Sequence, residues 1–240
     1  MEEISTAKQI LGCLTFSGKA FRSIVRDPSL LKAASIIITI AAIAALAGYN
    51  YAGKRPLPLL PPQVTPTGTV IPIQPRQIRQ FMMIGALVGG LVGIPLGWII
   101  NSALIHLFSR AFKGRGGFRA MLTLAGYASL PLVFQHALRL IDSFIISPER
   151  ISLLEGPLQV FADPVLNSVV NNFMSTFTVF GIWSALLIVI AIRENYEFTW
   201  PKSILVLILA FSLLLTIPPL ISTSMVRLIT PSTIQAPHPI

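Results

Sequence analysis

The stretch LFSRAFKGRGGFRAMLTLAGYASLP (Leu107–Pro131) joins two apolar segments of membrane-spanning length through a short turn. Four basic side chains and three glycines lie between Phe108 and Ala120, together with no acidic residue. Glycine lets a chain reverse tightly, and Lys and Arg are concentrated in cytoplasmic loops. The stretch therefore predicts a cytoplasmic hairpin between two transmembrane helices.

The composition of the chain is that of a membrane protein. Only 11% of its 240 residues are charged and 53% are hydrophobic, whereas soluble proteins average about 25% charged residues. A helix needs about 20 apolar residues to cross a hydrocarbon core, whose lipid leaves backbone groups no partner outside the segment. The predicted fold class is therefore an all-α, polytopic membrane protein with five transmembrane helices. The spans are 30–50, 81–107, 120–146, 173–192 and 203–229.

Three parts are predicted along the chain. Residues 1–29 form a cytoplasmic amphipathic segment, residues 30–229 the five-helix membrane domain, and residues 230–240 a tail. The first apolar run lacks a small-residue cleavage site, so it is not read as a signal peptide. Seven prolines between residues 51 and 80 predict an extended, mostly disordered outer loop. With the N-terminus inside, cytoplasmic segments hold 11 of the 18 basic residues, which favours that orientation.

The N-terminal segment is predicted to be an in-plane amphipathic helix. Its four basic residues fall within roughly 60° of one another on a helical wheel, opposite an apolar side. Such a helix lies at the headgroup level with its basic edge toward anionic lipid. Together with the hairpin it supplies the candidate contacts with anionic headgroups or a partner. These are Lys8, Lys19, Arg22, Arg26, Arg110, Lys113, Arg115 and Arg119.

The second span carries a stripe of candidate helix-packing glycines at every fourth residue: Gly85, Gly89, Gly93 and Gly97. Gly90 lies beside the stripe. Glycines at this spacing let another helix approach closely. Packing within the bundle is the preferred interpretation, and a homodimer face is the alternative. Kinks are predicted at Pro95 in this span, at Pro131 in the third span and at Pro218–Pro219 in the fifth.

Ionisable residues inside a span are candidate functional residues. Arg139 and Asp142 are three positions apart, so they share a helix face and are predicted to form a neutralising pair. His106 and His136 lack the further ligands that a metal site needs. The lone Cys13 excludes an intrachain disulfide and is predicted to be an interfacial thiol, with palmitoylation as the alternative. No catalytic constellation appears, so neither an enzyme nor a cofactor is predicted.

Four stretches carry a resemblance to a known family. Residues 21–33, FRSIVRDPSLLKA, resemble the start of its first span. Residues 108–131 are similar to its Gly-x-Gly-x-Phe turn and the following Gly-Tyr-Ala-x-x-Pro helix. Residues 182–192 and 195–202 resemble its fourth span and the turn into its fifth. In these stretches the chain resembles the Yip-domain family, five-span membrane proteins named for interaction with Ypt and Rab small GTPases.

The resemblance implies a non-enzymatic membrane protein, with two departures from the eukaryotic pattern. The acidic Asp-Leu-x-Gly-Pro motif before the membrane is missing, and residues 1–29 are short beside the usual cytosolic region. Rab binding is therefore not implied. The long proline-rich loop is similar to that of bacterial or archaeal relatives, so a prokaryotic plasma membrane with a cytoplasmic N-terminus is the expected location.

The preferred hypothesis is a protein that organises membrane or partner proteins through its basic cytoplasmic elements. The expected partners are the lipid bilayer with its anionic headgroups, and a membrane protein or second copy of the chain; nucleic acid is not expected. The alternative is a small-solute transporter or permease subunit, with a site between the proline-kinked spans two, three and five. Its site residues would be Arg139, Asp142, His136 and Asn101.

Overall fold

The computed structural model describes residues 6–57, 63–64, 70–71, 74–154, 166–167, 170–171, 174 and 177–229. These residues are mainly helical, which confirms the predicted all-α fold class. The proline-rich loop contributes a short antiparallel pair, in which β1 (Gln63–Val64) bonds to β2 (Val70–Ile71). The predicted tail at 230–240 lies outside the described residues.

The helices follow the predicted apolar runs, and several extend past them. They are α1 (Thr6–Leu14), α2 (Gly18–Arg26), α3 (Leu30–Lys54), α4 (Pro75–Ala111), α5 (Phe118–Ala128), α6 (Leu130–Ile145), α7 (Pro148–Leu154), α8 (Val179–Tyr196) and α9 (Trp200–Ile229). Among the described residues, four segments are long and apolar enough to cross a membrane: α3, α4, α5 with α6, and α8. Helix α9 is apolar over Trp200–Thr216, where its described side chains end, so the fifth span stays a prediction.

Prolines lie both at the starts of helices and inside them. Helix α4 begins with Pro75, inside the predicted loop, where a missing N–H costs nothing because the first turn has no acceptor for it. The helix then continues without interruption through Pro95. The third span instead divides at Ser129, and Pro131 lies in the first turn of α6. Pro218–Pro219 lie in α9 beyond its described side chains.

The outer surface of the bundle is apolar, as lipid requires of a membrane protein. Leu31, Phe81 and Val179 are 82%, 77% and 78% exposed. The interior joins α2, α4, α5, α8 and α9 in one apolar core. Its large, fully buried members include Phe21, Ile24, Ile105, Met121, Leu124, Leu187, Ile192 and Val206.

The close contact between α3 and α4 depends on small residues. A Cβ at Gly90 would lie 2.7 Å from the Ala45 Cα, so the two backbones approach directly. A Cβ at any glycine of the predicted stripe, from Gly85 to Gly97 at every fourth residue, would meet nothing within 4 Å among the described atoms. The structure therefore corrects the preferred interpretation of that stripe, because the packing glycine is the neighbouring Gly90. The homodimer alternative for the stripe stays a prediction.

The N-terminal segment is two helices rather than one continuous helix. The chain turns at Phe16, whose φ of 59° lies in the left-handed region. Gly12 lets α1 fold back on α2, since a Cβ there would lie 2.7 Å from the Ala20 Cβ. Phe21 and Ile24 of α2 are buried in the bundle core. The prediction of one amphipathic helix is therefore wrong, because protein rather than lipid covers the apolar side of α2.

The burial of Cys13 is the clearest consequence of this packing. Its side chain is fully buried within the core, so the prediction of an interfacial thiol is wrong. Burial raises the pKa of the thiol from an ordinary value of 9.0 to about 12. A thiolate is the reactive form of cysteine, so the group is unsuited to acylation in the folded protein.

We expect Cys13 in the detergent-solubilised, folded protein to react with a maleimide about a thousand-fold more slowly than an ordinary exposed thiol, because its thiolate fraction falls with the raised pKa. Intact-mass spectrometry over time measures the reaction. The control is Thr15→Cys in a Cys13→Ala background, since Thr15 is exposed. Unfolding in sodium dodecyl sulfate should equalise the two proteins, and rapid labelling of the folded wild type would contradict the packing of α1.

Candidate functional site

The turn between α4 and α5, residues 112–117 and here called the hairpin, is held by its own hydrogen bonds. The Gly114 N–H donates to the Ser109 carbonyl at 2.8 Å. Arg110 Nη1 donates to the Gly114 carbonyl at 3.1 Å. Lys113 completes the reversal with a φ of 63°. The basic, glycine-rich sequence thus forms a defined turn rather than a loose loop.

Two hairpin glycines are required because the end of α8 lies directly against them. A Cβ at Gly116 would lie 2.2 Å from the Asn195 carbonyl oxygen, and one at Gly114 would lie 2.8 Å from the Phe198 ring. The Asn195 side-chain amide donates to the Gly117 carbonyl at 3.1 Å. These contacts fix the hairpin on the turn between α8 and α9.

A polar cluster lies beneath the hairpin, between α4 and α8. His106 Nδ1 and the Tyr196 hydroxyl are 2.8 Å apart and hydrogen-bonded. The ring of Phe118, at the start of α5, lies 5.5 Å from the His106 ring. Ser109 and Asn195 are buried, and their Oγ and Oδ1 atoms have no hydrogen-bond partner among the described residues. His106, which had no role from sequence, therefore joins α4 to α8.

The second basic element, α2, is held at the same end of the bundle. Arg22 Nε lies 3.7 Å from the Glu194 carboxylate. A Cβ at Gly18 would lie 3.3 Å from the same carboxylate, so the start of α2 lies against α8. The hairpin contacts Asn195, the next residue of α8. Two basic elements that are distant in sequence are therefore attached to consecutive residues of one helix.

All eight basic residues predicted as lipid or partner contacts are exposed: Lys8, Lys19, Arg22, Arg26, Arg110, Lys113, Arg115 and Arg119. Arg22 and Arg110 also have structural bonds, to Glu194 and Gly114. Two further cations, one on each side of the turn between α8 and α9, lie against aromatic rings. The Arg193 guanidinium lies 4.7 Å from the Trp200 ring centre, and Lys202 Nζ lies 4.6 Å from that of Phe198. Sequence reasoning missed these two pairs, although both arise from near neighbours in the chain.

The predicted pair of Arg139 and Asp142 does not form. Asp142 instead accepts a hydrogen bond from the Tyr51 hydroxyl of α3. Lys54 Nζ, also from α3, donates to the Phe144 carbonyl at 3.0 Å. The last turn of α3 therefore supplies the partners for the end of α6.

The four residues of the transporter alternative differ in their described contacts. Asp142 is engaged by α3, and Arg139 lines a groove between α6 and α8. His136 lies three positions before Arg139 on the same helix, α6, whereas Asn101 lies on α4 with its Oδ1 buried and without a partner among the described residues. Within the described part of the chain, no three His, Cys, Asp or Glu side chains come together as metal ligands.

Comparison with known proteins places these elements in a family context. The chain matches the Yip1 domain over residues 11–221, a range that includes α2, the hairpin and α8. It is 37% identical over 62 residues to an uncharacterised protein of Methanocaldococcus jannaschii, a match that covers 26% of this chain and 44% of that protein. The chain therefore spans less than half the length of this relative. No solved structure matches the chain.

We expect Gly116→Ala to destabilise the folded protein by about 2–3 kcal/mol, because the new Cβ forces the hairpin away from Asn195. Thermal unfolding in detergent, followed by tryptophan fluorescence, should show Tm falling by roughly 5–10 °C. Gly117→Ala is the matched control, since a Cβ there would meet nothing within 4 Å. Equal Tm values for the two variants would show that the hairpin does not lie against α8.

Proposed function

The chain belongs to the Yip1 domain family, and we propose that it is a non-enzymatic organiser of membranes and partner proteins. The family match and the apolar helices identify the chain as a multi-pass membrane protein of Yip type. We assign the organising role to one surface of the protein. This basic surface consists of Lys19, Arg22, Arg26, Lys113, Arg115 and Arg119.

The observation that supports this role most directly is the attachment of α2 and the hairpin to consecutive residues of α8. Arg22 contacts Glu194, and Asn195 contacts the hairpin through Gly116 and Gly117. Two short basic elements thereby act as one surface. Each Lys or Arg near an anionic leaflet contributes about 1 kcal/mol, so their combination provides an attraction that neither element provides alone.

The rigidity of the hairpin is a second support. Attraction to headgroups falls off within a Debye length, about 8 Å at physiological ionic strength. A turn fixed by Ser109, Arg110 and Asn195 keeps its exposed cations at one height above the bundle. Lys113, Arg115 and Arg119 have no ion pair among the described residues, so their charge is available to lipid or to an acidic partner.

The proposed orientation directs the basic surface toward the cytoplasm. Arg193 and Lys202 lie at the same end of the bundle, on α8 and α9 on either side of the turn that contacts the hairpin. Cations concentrated at one end are typical of the cytoplasmic side of membrane proteins. Anionic lipids of that leaflet are then the first binding partner, and acidic proteins at the membrane surface are the second.

We expect the triple variant Lys113→Glu, Arg115→Glu and Arg119→Glu to lose its enrichment of anionic lipid. Arg110 is left unchanged because its bond to the Gly114 carbonyl stabilises the turn. The measurement is the phosphatidylglycerol to phosphatidylcholine ratio of lipid that copurifies from vesicles holding equal amounts of both. The wild-type ratio should exceed one, and the variant ratio should fall to one or below.

The matched control for this experiment is Arg115→Lys with Arg119→Lys, which keeps every charge. It should retain the wild-type ratio, because attraction to a headgroup layer needs point charge rather than guanidinium geometry. The same variants, crosslinked in native membranes and analysed by mass spectrometry, test the protein partner. Unchanged lipid ratios together with unchanged crosslinked partners in the triple variant would refute the assigned role of the hairpin.

A further inference from the structure

A groove between α6 and α8 lies at the end of the bundle opposite the hairpin, and the proposed function does not use it. Its volume is about 520 Å³, within the range of about 300–1,000 Å³ that is typical of small-molecule sites. Its described lining residues are Gln135, Leu138, Arg139, Thr178, Val179 and Phe180.

The polar part of the groove is held by side-chain bonds. Gln135, Leu138 and Arg139 are spaced by three and four positions, so they share one face of α6. Thr178 Oγ1 donates to Gln135 Oε1 at 2.7 Å and accepts from the Gly181 N–H at 3.0 Å. The two helices are therefore linked at the groove, and the Gln135 amide nitrogen is left as a donor toward it.

Arg139 gives the groove a positive charge, and no counter-charge for it lies among the described residues. Asp142 on the same helix is engaged by Tyr51, and no described carboxylate lies within ion-pair distance of Arg139. His136, three positions earlier, cannot neutralise a guanidinium. Arg139 is exposed, so its guanidinium is accessible to an anion from outside the chain, and a charge-assisted hydrogen bond to such an anion is favourable.

An apolar strip continues from the groove toward the middle of the bundle. On α8 it follows Val179, Ile182 and Leu186, which are spaced by three and four positions and are 78%, 48% and 51% exposed. On α6 it follows Leu138 and Phe134, which are 56% and 50% exposed. A free phosphate ion would contact only the polar part of this arrangement. A molecule with a phosphate at one end and long apolar chains at the other matches all of it.

We propose that this groove binds one phospholipid, with its phosphodiester on Arg139 and the Gln135 amide and its acyl chains along the apolar strip. A guanidinium presents paired N–H donors that suit two phosphate oxygens, so Arg139 is the specific element of the site. Val179 and Leu138 contribute apolar surface to the chains. The binding is independent of the basic surface at the other end of the bundle.

The test is native mass spectrometry of the detergent-purified full chain with added phosphatidylglycerol. Arg139→Gln should raise the apparent Kd of the first bound lipid about ten- to a hundred-fold, the expected loss for a hydrogen-bonded charge. Arg79→Gln is the matched control. Arg79 is an exposed arginine near the start of α4, at the end of the bundle that holds the groove, and its replacement should leave the Kd unchanged. Val179→Trp, which fills the apolar side while keeping Arg139, should also weaken binding.

Two competitor compounds distinguish a phospholipid from a free phosphate group as the ligand. Diacylglycerol, which has chains but no phosphate, should not compete, and glycerophosphoglycerol, which has the headgroup but no chains, should not compete at millimolar concentration. Equal phosphatidylglycerol binding by the wild type and Arg139→Gln would overturn the proposal, as would effective competition by the free headgroup. If Arg139→Gln does not fold, unchanged lipid binding by Val179→Trp overturns the proposal. Val179 is exposed, and substitutions at exposed positions usually leave the fold intact.

Discussion

The direct contact between the Gly116 and Asn195 backbones is the constraint on which the hairpin end of the bundle depends. In lipid, apolar side chains gain little by meeting one another, so helices associate through close packing and satisfied polar groups. Gly116 permits the approach, and the Asn195 amide satisfies the Gly117 carbonyl. The same rule applies deeper in the bundle, where Gly126 lies against Ala33. Small residues placed one at a time, rather than in a stripe, hold these helices together.

Hydropathy and turn chemistry were sufficient to predict the all-α fold class and the turn between α4 and α5, because both are local properties of the chain. The apolar runs predicted the four spans found among the described residues, and the glycine-rich turn predicted the hairpin between α4 and α5. The partner of Asp142 was not predictable in this way. Arg139 satisfied the helical spacing rule, whereas Tyr51 belongs to a helix whose predicted end was residue 50 and whose observed end is Lys54. The polar residues that close α3 were the available signal, since polar groups at a span end commonly bond to the neighbouring helix.

In the N-terminal segment, the helical wheel wrongly predicted one continuous helix, whereas its basic residues are exposed as predicted. A wheel assumes one continuous helix, and the turn at Phe16 changes the phase between α1 and α2. Gly12 and Gly18 were the local signals of that turn. Lys19, Arg22 and Arg26 belong to α2 alone, so their common exposure survives the break. The preferred interpretation of the glycine stripe of α4, packing within the bundle, failed for a related reason, because spacing identifies a face but does not identify what covers it.

Helix α8 relates the two ends of the molecule, because both proposed sites are built on it. Thr178 caps its first turn beside the groove, and Glu194 and Asn195 hold the basic elements at its last. Its 18 residues span about 27 Å at 1.5 Å per residue, close to the thickness of a hydrocarbon core. Between them, Leu187 and Ile192 are fully buried, so the helix is packed along its inner half. The two proposed contacts with anionic groups are therefore held at a fixed separation that matches the two faces of one bilayer.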